Sequence, residues 1–472
     1  MIFSTTQFVI YFIAFLLGVI FLKKHVKPYK WFLLIGSFVF YGFAGVHLLY
    51  ILVFVILVNY FLGWILSLTL QKKLKSHGSK FVLFTAIIVN LLILTYFKYG
   101  NFISNLLLEL NESIKLPFNV PIIELYITIG LSYYLFKVIS HHIDLYRGII
   151  RFPSLLDFSV YLSFFPQILM GPIQRPILFY KELNSTFKFD YDVAKVIVRI
   201  LSGILKKLVI ASFLFETATI TFHNPTEFSR IDLIISVFAY GAMLFTDFSG
   251  YCDFSVAISN ILGFSSVENF NNPYKAVGFK DFWSRWHITL SRWFKDYVYI
   301  PLGGNHGGKI KQFLNIFITM VLSGIWHGVG IPFIIWGIYH GICSMITHLF
   351  KSITIKNKVV TMFSKLFAWI TTLVAVQFGW IFFASRSFEQ AVDFIKTIVK
   401  PTHHESVLVD FRVLLLIFMV ILGNFFGKYL ARIFLIILRK INIFSIILLI
   451  LVVYVLLQLG PDLVPPFVYF SF

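Results

Sequence analysis

The chain carries little charge and almost no cysteine for its length. Of its 472 residues, 13% are charged and two are cysteine. Soluble domains carry about a quarter charged residues, so this composition argues against an ordinary soluble protein. Cys252 and Cys343 lie in apolar sequence and match neither a disulfide framework nor the spacing of zinc ligands. Each is therefore expected to be a structural free thiol.

Motifs that carry chemistry in other enzymes are missing as well. The sequence has no HExxH zinc motif, no GxSxG nucleophile elbow, no P-loop and no dinucleotide-binding glycine pattern in its proper context. We therefore expect no bound metal, no bound cofactor and no acylated serine, while Cys252 leaves a covalent route open. Internal repeats, from which the common transporter folds are built, are not evident either.

Long apolar runs are abundant instead. The sequence is 58% hydrophobic, and runs that could cross most or all of a bilayer recur along it. They include residues 8–22, 48–70, 81–97, 193–215, 313–325, 366–383, 414–437 and 446–459. No basic segment precedes the first run, so we interpret it as a membrane helix and not as a signal peptide. The pattern predicts an all-α polytopic membrane protein with one domain over residues 1–472.

Positive charge exceeds negative charge, with 40 Lys and Arg against 21 Asp and Glu, a net charge of +19. Lys and Arg of membrane proteins concentrate in cytoplasmic loops, so we expect no nucleic-acid partner. The basic segments 23–30 and 71–80 are separated by two spans, so both can lie on the same side of the membrane. Segment 99–121 carries two glutamates and one lysine, and arginines return at Arg147 and Arg151. This alternation predicts an extracytoplasmic N-terminus.

The longest polar region, residues 269–311, contains three tryptophans and two histidines, His287 and His306. At about 100° per residue, one face of a helix over 279–299 would hold four aromatic residues: Trp283, Trp286, Trp293 and Tyr297. The opposite face would hold three basic residues: Arg285, Arg292 and Lys295. We interpret this as a helix lying in the membrane interface. His287 and Ser291 would be neighbours on it, and His287 can be a structural anchor or a catalytic group.

A second histidine ends an apolar span. His327 follows Trp326 and lies between Gly324 and Gly328, so the backbone there can approach another group closely. An ionisable residue at membrane depth indicates a functional site, because placing it there is costly. A neutral imidazole is what a general base requires. A histidine bonded to a neighbouring helix is the alternative, and His340 fits that structural role better.

Two further segments combine polar and apolar residues, and we expect both to break the simple helical pattern. Residues 155–176 contain three prolines and Gln167, which predicts a re-entrant segment lining a cavity. Residues 246–264 carry Asp247 and Asp253 on either side of Tyr251. These acids can lock two helices through ion pairs, with two candidate partners, Arg285 and Arg175, or can orient a catalytic histidine.

Several blocks, in order, resemble the membrane-bound O-acyltransferase (MBOAT) family, most closely its bacterial alginate O-acetylase and peptidoglycan O-acetyltransferase branch. The resemblance runs from about residue 129 to the end of the chain, with core motifs over 129–345. The matching blocks are FFPQILMGPIQR at 164–175, DFSGYCDFSVAISNILGF at 247–264, NFNNPYKAVGFKDFWSRWHITLSRWFKDYVYIPLGGN at 269–305, SGIWHG at 323–328 and PFVYFSF at 466–472. Cys252 stands where relatives are expected to have serine.

The resemblance implies about eleven transmembrane helices plus re-entrant and interfacial helices around a central tunnel. It makes His327 the presumed catalytic base and His287 the second family histidine. The supporting or tunnel residues would be Trp326, Trp286, Ser291, Asp247, Asp253, Tyr251, Arg285 and Gln167.

The resemblance also implies an activity. A cytoplasmic thioester, acetyl-CoA or an acyl-carrier protein, would donate an acetyl group that crosses a bacterial cytoplasmic membrane to hydroxyls of a cell-envelope polysaccharide. A separate extracytoplasmic SGNH-hydrolase-like partner would complete the transfer. Three alternatives stay open: a D-alanyl transferase for teichoic acid that uses a carrier-protein thioester, a saccharide transporter or flippase, and a non-catalytic scaffold for a partner hydrolase.

Overall fold

All regular secondary structure is helical in the part of the chain that the computed structural model describes, which is residues 3, 5–22, 24–72, 76–114, 128–185, 191–350, 358–400, 404–440, 442–460 and 465. The α-helices are α1 Thr6–Leu22, α2 Val26–Gly42, α3 Val46–Lys72, α4 His77–Leu94, α5 Gly100–Ile114, α6 Leu131–Tyr146, α7 Leu155–Ser163, α8 Phe165–Ile168, α9 Pro176–Leu183, α10 Val193–Gly203, α11 Ser212–His223, α12 Arg230–Ile261, α13 Phe279–Arg285, α14 Ile288–Phe294, α15 Gly308–His327, α16 Ile331–Phe350, α17 Lys358–Ala384, α18 Phe388–Val399, α19 Phe411–Arg439 and α20 Ile443–Leu459. Short π-helical segments (Thr95–Tyr99, Ile204–Ala211 and Lys295–Tyr299) and 3-10 turns (Pro225–Glu227 and Pro273–Lys275) join some of them.

Six helical segments in the described part of the chain are long and apolar enough to cross a membrane. They are Val46–Gln71, His77–Asn111, Arg230–Ile261, Ile331–Leu349, Val360–Ala384 and Phe411–Arg439, and Thr6–Leu22 and Ile443–Leu456 are shorter apolar helices. The all-α polytopic architecture is thus confirmed. The number of eleven spans is not confirmed, and the central tunnel stays a prediction. The terminal block at 466–472 lies outside the described residues.

The chain divides into two compact units. The first consists of Met1–Tyr191 with Phe254–Val267, and the second of Asp192–Asp253 with Glu268–Phe472. The single domain over residues 1–472 stays a prediction.

Buried amides join three helices of the first unit. Asn59 of α3 and Asn90 of α4 each donate a side-chain hydrogen bond to the other, at 3.1 and 2.6 Å. His142 of α6 reaches the same Asn59 Oδ1 through Nε2 at 3.0 Å. In an apolar environment such side-chain bonds hold helices together, because a separated amide would lose its partners.

The second unit contains most of α12, and here one expectation was wrong. Residues 246–264 were expected to break the helical pattern, yet α12 runs unbroken from Arg230 to Ile261. The carboxylates that suggested a break have cationic partners in the segment 193–211, which is α10 and a π-helical segment. That segment coincides with a predicted span but is not among the six spanning candidates.

Helices α15 and α16 cross with their backbones in contact. A Cβ on Gly324 would lie 2.3 Å from the carbonyl oxygen of Phe333, and one on Gly337 would lie 2.7 Å from that of Met320. This confirms the expected close backbone approach beside His327, since only glycine leaves room at such a crossing.

The crossing predicts the effect of one added methyl group. Gly324→Ala forces two backbones apart, and overpacking of this kind costs about 1–3 kcal/mol. We expect a lower Tm in detergent. The matched control is Gly423→Ala in α19, where a Cβ would meet nothing within 4 Å, so its Tm should hold or rise because alanine favours helix. Equal Tm values for the two variants would contradict this packing.

Candidate functional site

His327 is the last residue of α15, and aromatic rings surround it. Its side chain is 4% exposed. Its ring centroid lies 4.9 Å from that of Trp326, 5.1 Å from Trp336 on α16 and 5.3 Å from Phe383 on α17. An apolar enclosure of this kind disfavours a charged ring, so it suits a neutral imidazole.

His287 lies at a sharp break in the chain. Its backbone is left-handed, with φ 41° and ψ 54°, and it separates α13 from α14. The single helix predicted over 279–299 is therefore wrong. The reason is long-range backbone pairing: Ile288 N donates to Asn269 O at 2.9 Å and Asn271 N to Arg285 O at 2.9 Å. These bonds occupy groups that a continuous helix would use internally.

Burial nevertheless follows the predicted separation of aromatic and basic residues. Trp286, Trp293 and Tyr297 are buried, whereas Arg292 and Lys295 are exposed. The interfacial position of α13 and α14 stays a prediction.

Asn269 orients the ring of His287. Asn269 Oδ1 accepts hydrogen bonds from Thr289 N at 3.1 Å and Thr289 Oγ1 at 2.9 Å, so this atom is the amide oxygen. His287 Nδ1 lies 3.2 Å from the same oxygen and must be the donor. The Nε2 atom then carries the lone pair. Burial lowers the pKa of His287 to about 3, which keeps the ring neutral.

The two candidate histidines belong to one cluster. The Trp326 ring lies 4.9 Å from His327 and 6.4 Å from His287, centroid to centroid. His287 is itself fully buried. The fold thus brings together two histidines that the sequence places on different segments. We call His287, Trp326, His327 and Trp336 the histidine cluster.

The other two residues predicted near His287 have structural contacts. Ser291 Oγ donates to the carbonyl of Trp286 at 3.3 Å, and Ser291 N donates to that of His287 at 3.0 Å. The Trp286 ring packs 5.0 Å from Trp380 and 5.6 Å from Phe282. Both residues therefore support the break that positions His287.

The Asp247 carboxylate forms a buried ion pair with Lys207 of the π-helical segment Ile204–Ala211. Lys207 was not among the predicted partners. Arg285 was a predicted partner, but its guanidinium group donates to Asp281 at 2.7 Å and to the Asn271 carbonyl at 3.2 Å. This contact supports the interpretation that Asp247 holds two helices together through an ion pair.

Asp253 lies on the same helix and contacts the same neighbouring segment. Its oxygens accept from Lys206 at 2.7 Å, Ser202 at 2.8 Å and Arg199 at 3.3 Å. Between the two acids, a Cβ on Gly250 would lie 3.0 Å from Lys207 N. The glycine therefore allows α12 to approach closely enough for both acids to bind.

Tyr251 and Gln167 are both buried. In the first unit, Gln167 Nε2 donates to Gln174 Oε1 at 2.7 Å and to Ser266 Oγ at 3.2 Å. The helix-breaking stretch 155–176 contains the short helices α7 and α8 and reaches the start of α9. Whether it re-enters the membrane stays a prediction.

The family model described as MBOAT, membrane-bound O-acyltransferase family, matches residues 33–388, a range that includes the histidine cluster and Asn269. The chain belongs to the MBOAT family. It is therefore a multi-pass membrane O-acyltransferase.

Curated relatives of this MBOAT protein include three kinds of enzyme. It is 34% identical over 400 residues to the probable alginate O-acetylase AlgI of Pseudomonas syringae pv. tomato, covering 83% of this chain and 74% of the relative. It is 30% identical over 432 residues to the peptidoglycan O-acetyltransferase of Helicobacter pylori, covering 84% of this chain and 80% of the relative. It is 32% identical over 278 residues to the teichoic acid D-alanyltransferase of Bacillus subtilis, covering 55% of this chain and 69% of the relative.

Cys252, a free cysteine, also lies in this part of the MBOAT fold. Its Sγ accepts a hydrogen bond from Asn269 Nδ2 at 3.4 Å, and the side chain is 4% exposed. Among the described residues, no group of three or more His, Cys, Asp or Glu could hold a metal ion.

Asn269 and Trp336 are site residues that the sequence patterns did not indicate, and Asn269 lies 18 positions from the His287 that it contacts. Asn269→Leu should lower kcat about 10–100-fold, the effect of removing a group that orients a metal-binding histidine. Asn269→Asp keeps an acceptor oxygen and should retain more activity. The measurement is acyl transfer by the purified variants, with Tm as the folding check. Equal losses in the two variants at unchanged Tm would contradict the orienting role.

Proposed function

We propose that this MBOAT protein transfers an acetyl group from a cytoplasmic thioester to hydroxyls of a cell-envelope polysaccharide. The observation that carries the proposal is the histidine cluster, in which His327 and the oriented His287 share one buried aromatic enclosure. The relatives named for O-acetylation also cover 83% and 84% of the chain, against 55% for the D-alanyl relative.

His327 is the general base in this proposal. Its neutral ring accepts the proton of the acceptor hydroxyl while that oxygen attacks the thioester carbonyl carbon. The carbon–sulfur bond then breaks, and the leaving thiolate takes the proton from the imidazolium. His287 lies beside the reacting groups, and Asn269 holds its ring through Nδ1. The rings of Trp326 and Trp286 line the site. Ser291 and the ion pairs of Asp247 and Asp253 hold the surrounding helices in place.

The donor reaches the site from the cytosol. This orientation is supported by α2 and α3, a helix pair flanked by the basic segments 23–30 and 71–80. The N-terminus is then extracytoplasmic, and the membrane is a bacterial cytoplasmic membrane. The acceptor is peptidoglycan, an alginate-like polymer or another exopolysaccharide, and an SGNH-hydrolase-like protein outside the membrane completes the transfer.

D-Alanyl transfer is the second candidate, because a teichoic acid D-alanyltransferase is 32% identical over 278 residues. It uses the same attack on a thioester and differs in the acyl group and its carrier.

The donor distinguishes the two candidates. The purified protein in sealed proteoliposomes is given [14C]acetyl-CoA or a D-[14C]alanyl carrier-protein thioester, with a glycan acceptor and with or without an SGNH-hydrolase-like partner. We expect thiol release and label on the glycan from the acetyl donor. Label from the D-alanyl thioester alone would establish the second candidate. Failure of both donors with the partner present would contradict acyl transfer and favour saccharide transport.

A further inference from the structure

Three aromatic side chains contact one another, and one of them, Trp336, contacts the His327 ring. The ring centroids of Trp283, Trp336 and His340 are separated by 5.6 Å (Trp283–Trp336), 5.2 Å (Trp283–His340) and 4.5 Å (Trp336–His340). They come from α13 and α16, both in the second unit. We call these three residues the ring-nitrogen triangle.

The polar atoms of the triangle are buried without hydrogen-bond partners. Within the described part of the chain, neither indole Nε1 of Trp283 and Trp336 nor either ring nitrogen of His340 has a partner. Trp336 and His340 are 0% exposed. Folded proteins leave few buried polar groups unpaired, because each has lost its bonds to water. Three in mutual ring contact therefore indicate a site for a hydrogen-bonding ligand.

The site lies beside the proposed base. The Trp336 ring contacts His327 on one side, at 5.1 Å, and His340 on another. Gly379 of α17 borders His340, and a Cβ there would come within 2.7 Å of His340 Nε2. Two indole N–H groups and one imidazole N–H are donors, so the ligand atom they suit is an acceptor oxygen.

We propose that the ring-nitrogen triangle binds the carbonyl oxygen of the donor thioester, an inference that rests on the proposed acyl transfer. When the hydroxyl oxygen attacks the carbonyl carbon, its proton passes to His327 and the C=O electron pair moves onto the carbonyl oxygen. Fixed N–H donors stabilise that negative oxygen in a dry site. Collapse restores C=O, breaks the C–S bond and returns the proton from His327 to the thiolate.

Trp→Phe substitutions test the triangle, since they remove one N–H and keep most of the ring. Trp336→Phe and Trp283→Phe should each lower kcat about 10²–10³-fold, as removal of one such donor does, and should raise KM for the donor by a smaller factor. Their Tm should fall by no more than the loss of ring volume explains, because the lost N–H has no protein partner. The control is Trp369→Phe, whose Nε1 donates to the Tyr274 carbonyl at 2.8 Å. It should keep kcat and lose Tm.

A binding measurement separates carbonyl recognition from a bound water. Acetonyl-CoA keeps a carbonyl without a cleavable thioester, and S-propyl-CoA lacks the carbonyl. Acetonyl-CoA should raise the Tm of the wild type more than S-propyl-CoA does, and Trp336→Phe should abolish that difference. Equal Tm shifts from the two ligands in the wild type, or full kcat in both Trp→Phe variants, would overturn the carbonyl site. The proposed function would still stand if His327→Gln is inactive. A wild type that transfers from no donor would overturn both.

Discussion

Replacing His327 by glutamine is expected to lower the rate of acyl transfer about 10²–10⁴-fold, the contribution of a positioned general base. Glutamine has a similar size and can hydrogen-bond, but it cannot take a proton from a hydroxyl near neutral pH. The aromatic enclosure by Trp326, Trp336 and Phe383 should therefore keep its packing while the chemistry stops. The measurement is single-turnover release of thiol from the donor, with Tm recorded for each preparation.

The matched control is His404→Gln, because His404 is exposed. This variant should transfer acyl groups at the wild-type rate. A His327→Gln protein that folds and still transfers within a fewfold of wild type would remove His327 from the mechanism. Loss of activity in both variants would point to a general effect of histidine replacement.

The second large effect is expected from Lys207→Met. The side chains of Lys207 and Asp247 are 4% and 3% exposed, so the substitution leaves a carboxylate buried beside methionine. Breaking one partner of a buried pair costs about 3–5 kcal/mol. We expect a steep fall in Tm and in the yield of folded protein.

Two further variants identify the cause of that loss. Lys207→Met with Asp247→Asn removes both charges and should recover much of the stability. Lys396→Met breaks a pair with Asp393 whose side chains are 70% and 50% exposed, and exposed pairs contribute about 0–1 kcal/mol. The interpretation is wrong if the double variant is no more stable than Lys207→Met alone, or if Lys396→Met is equally damaging.

Local patterns in the sequence predict much of the fold. Apolar runs locate α1, α3, α4 and α19, since a long apolar helix follows from residues that are neighbours in sequence. The glycines around His327 correctly predict a close backbone approach, which proves to be the crossing with α16 at Gly324 and Gly337.

Long-range contacts account for what the sequence does not reveal. The acids in 246–264 look like a break in a membrane helix until Lys206 and Lys207, about forty residues earlier, supply their countercharges. The aromatic and basic residues of 279–299 do have helical spacing. Backbone hydrogen bonds to residues 269–271 nevertheless force His287 into a left-handed conformation. The same pairing brings Asn269 to the imidazole.

The most direct test of acyl transfer through the histidine cluster follows the label from one turnover of radiolabelled donor. Wild type, His327→Gln and Cys252→Ser are mixed with donor, glycan and the SGNH-hydrolase-like partner, and label is counted on the donor, on each protein and on the glycan over time. We predict that label passes to the glycan in wild type and Cys252→Ser, and stays on the donor in His327→Gln. Stable label on the wild-type protein that disappears in Cys252→Ser, or equal transfer by wild type and His327→Gln, would contradict the account.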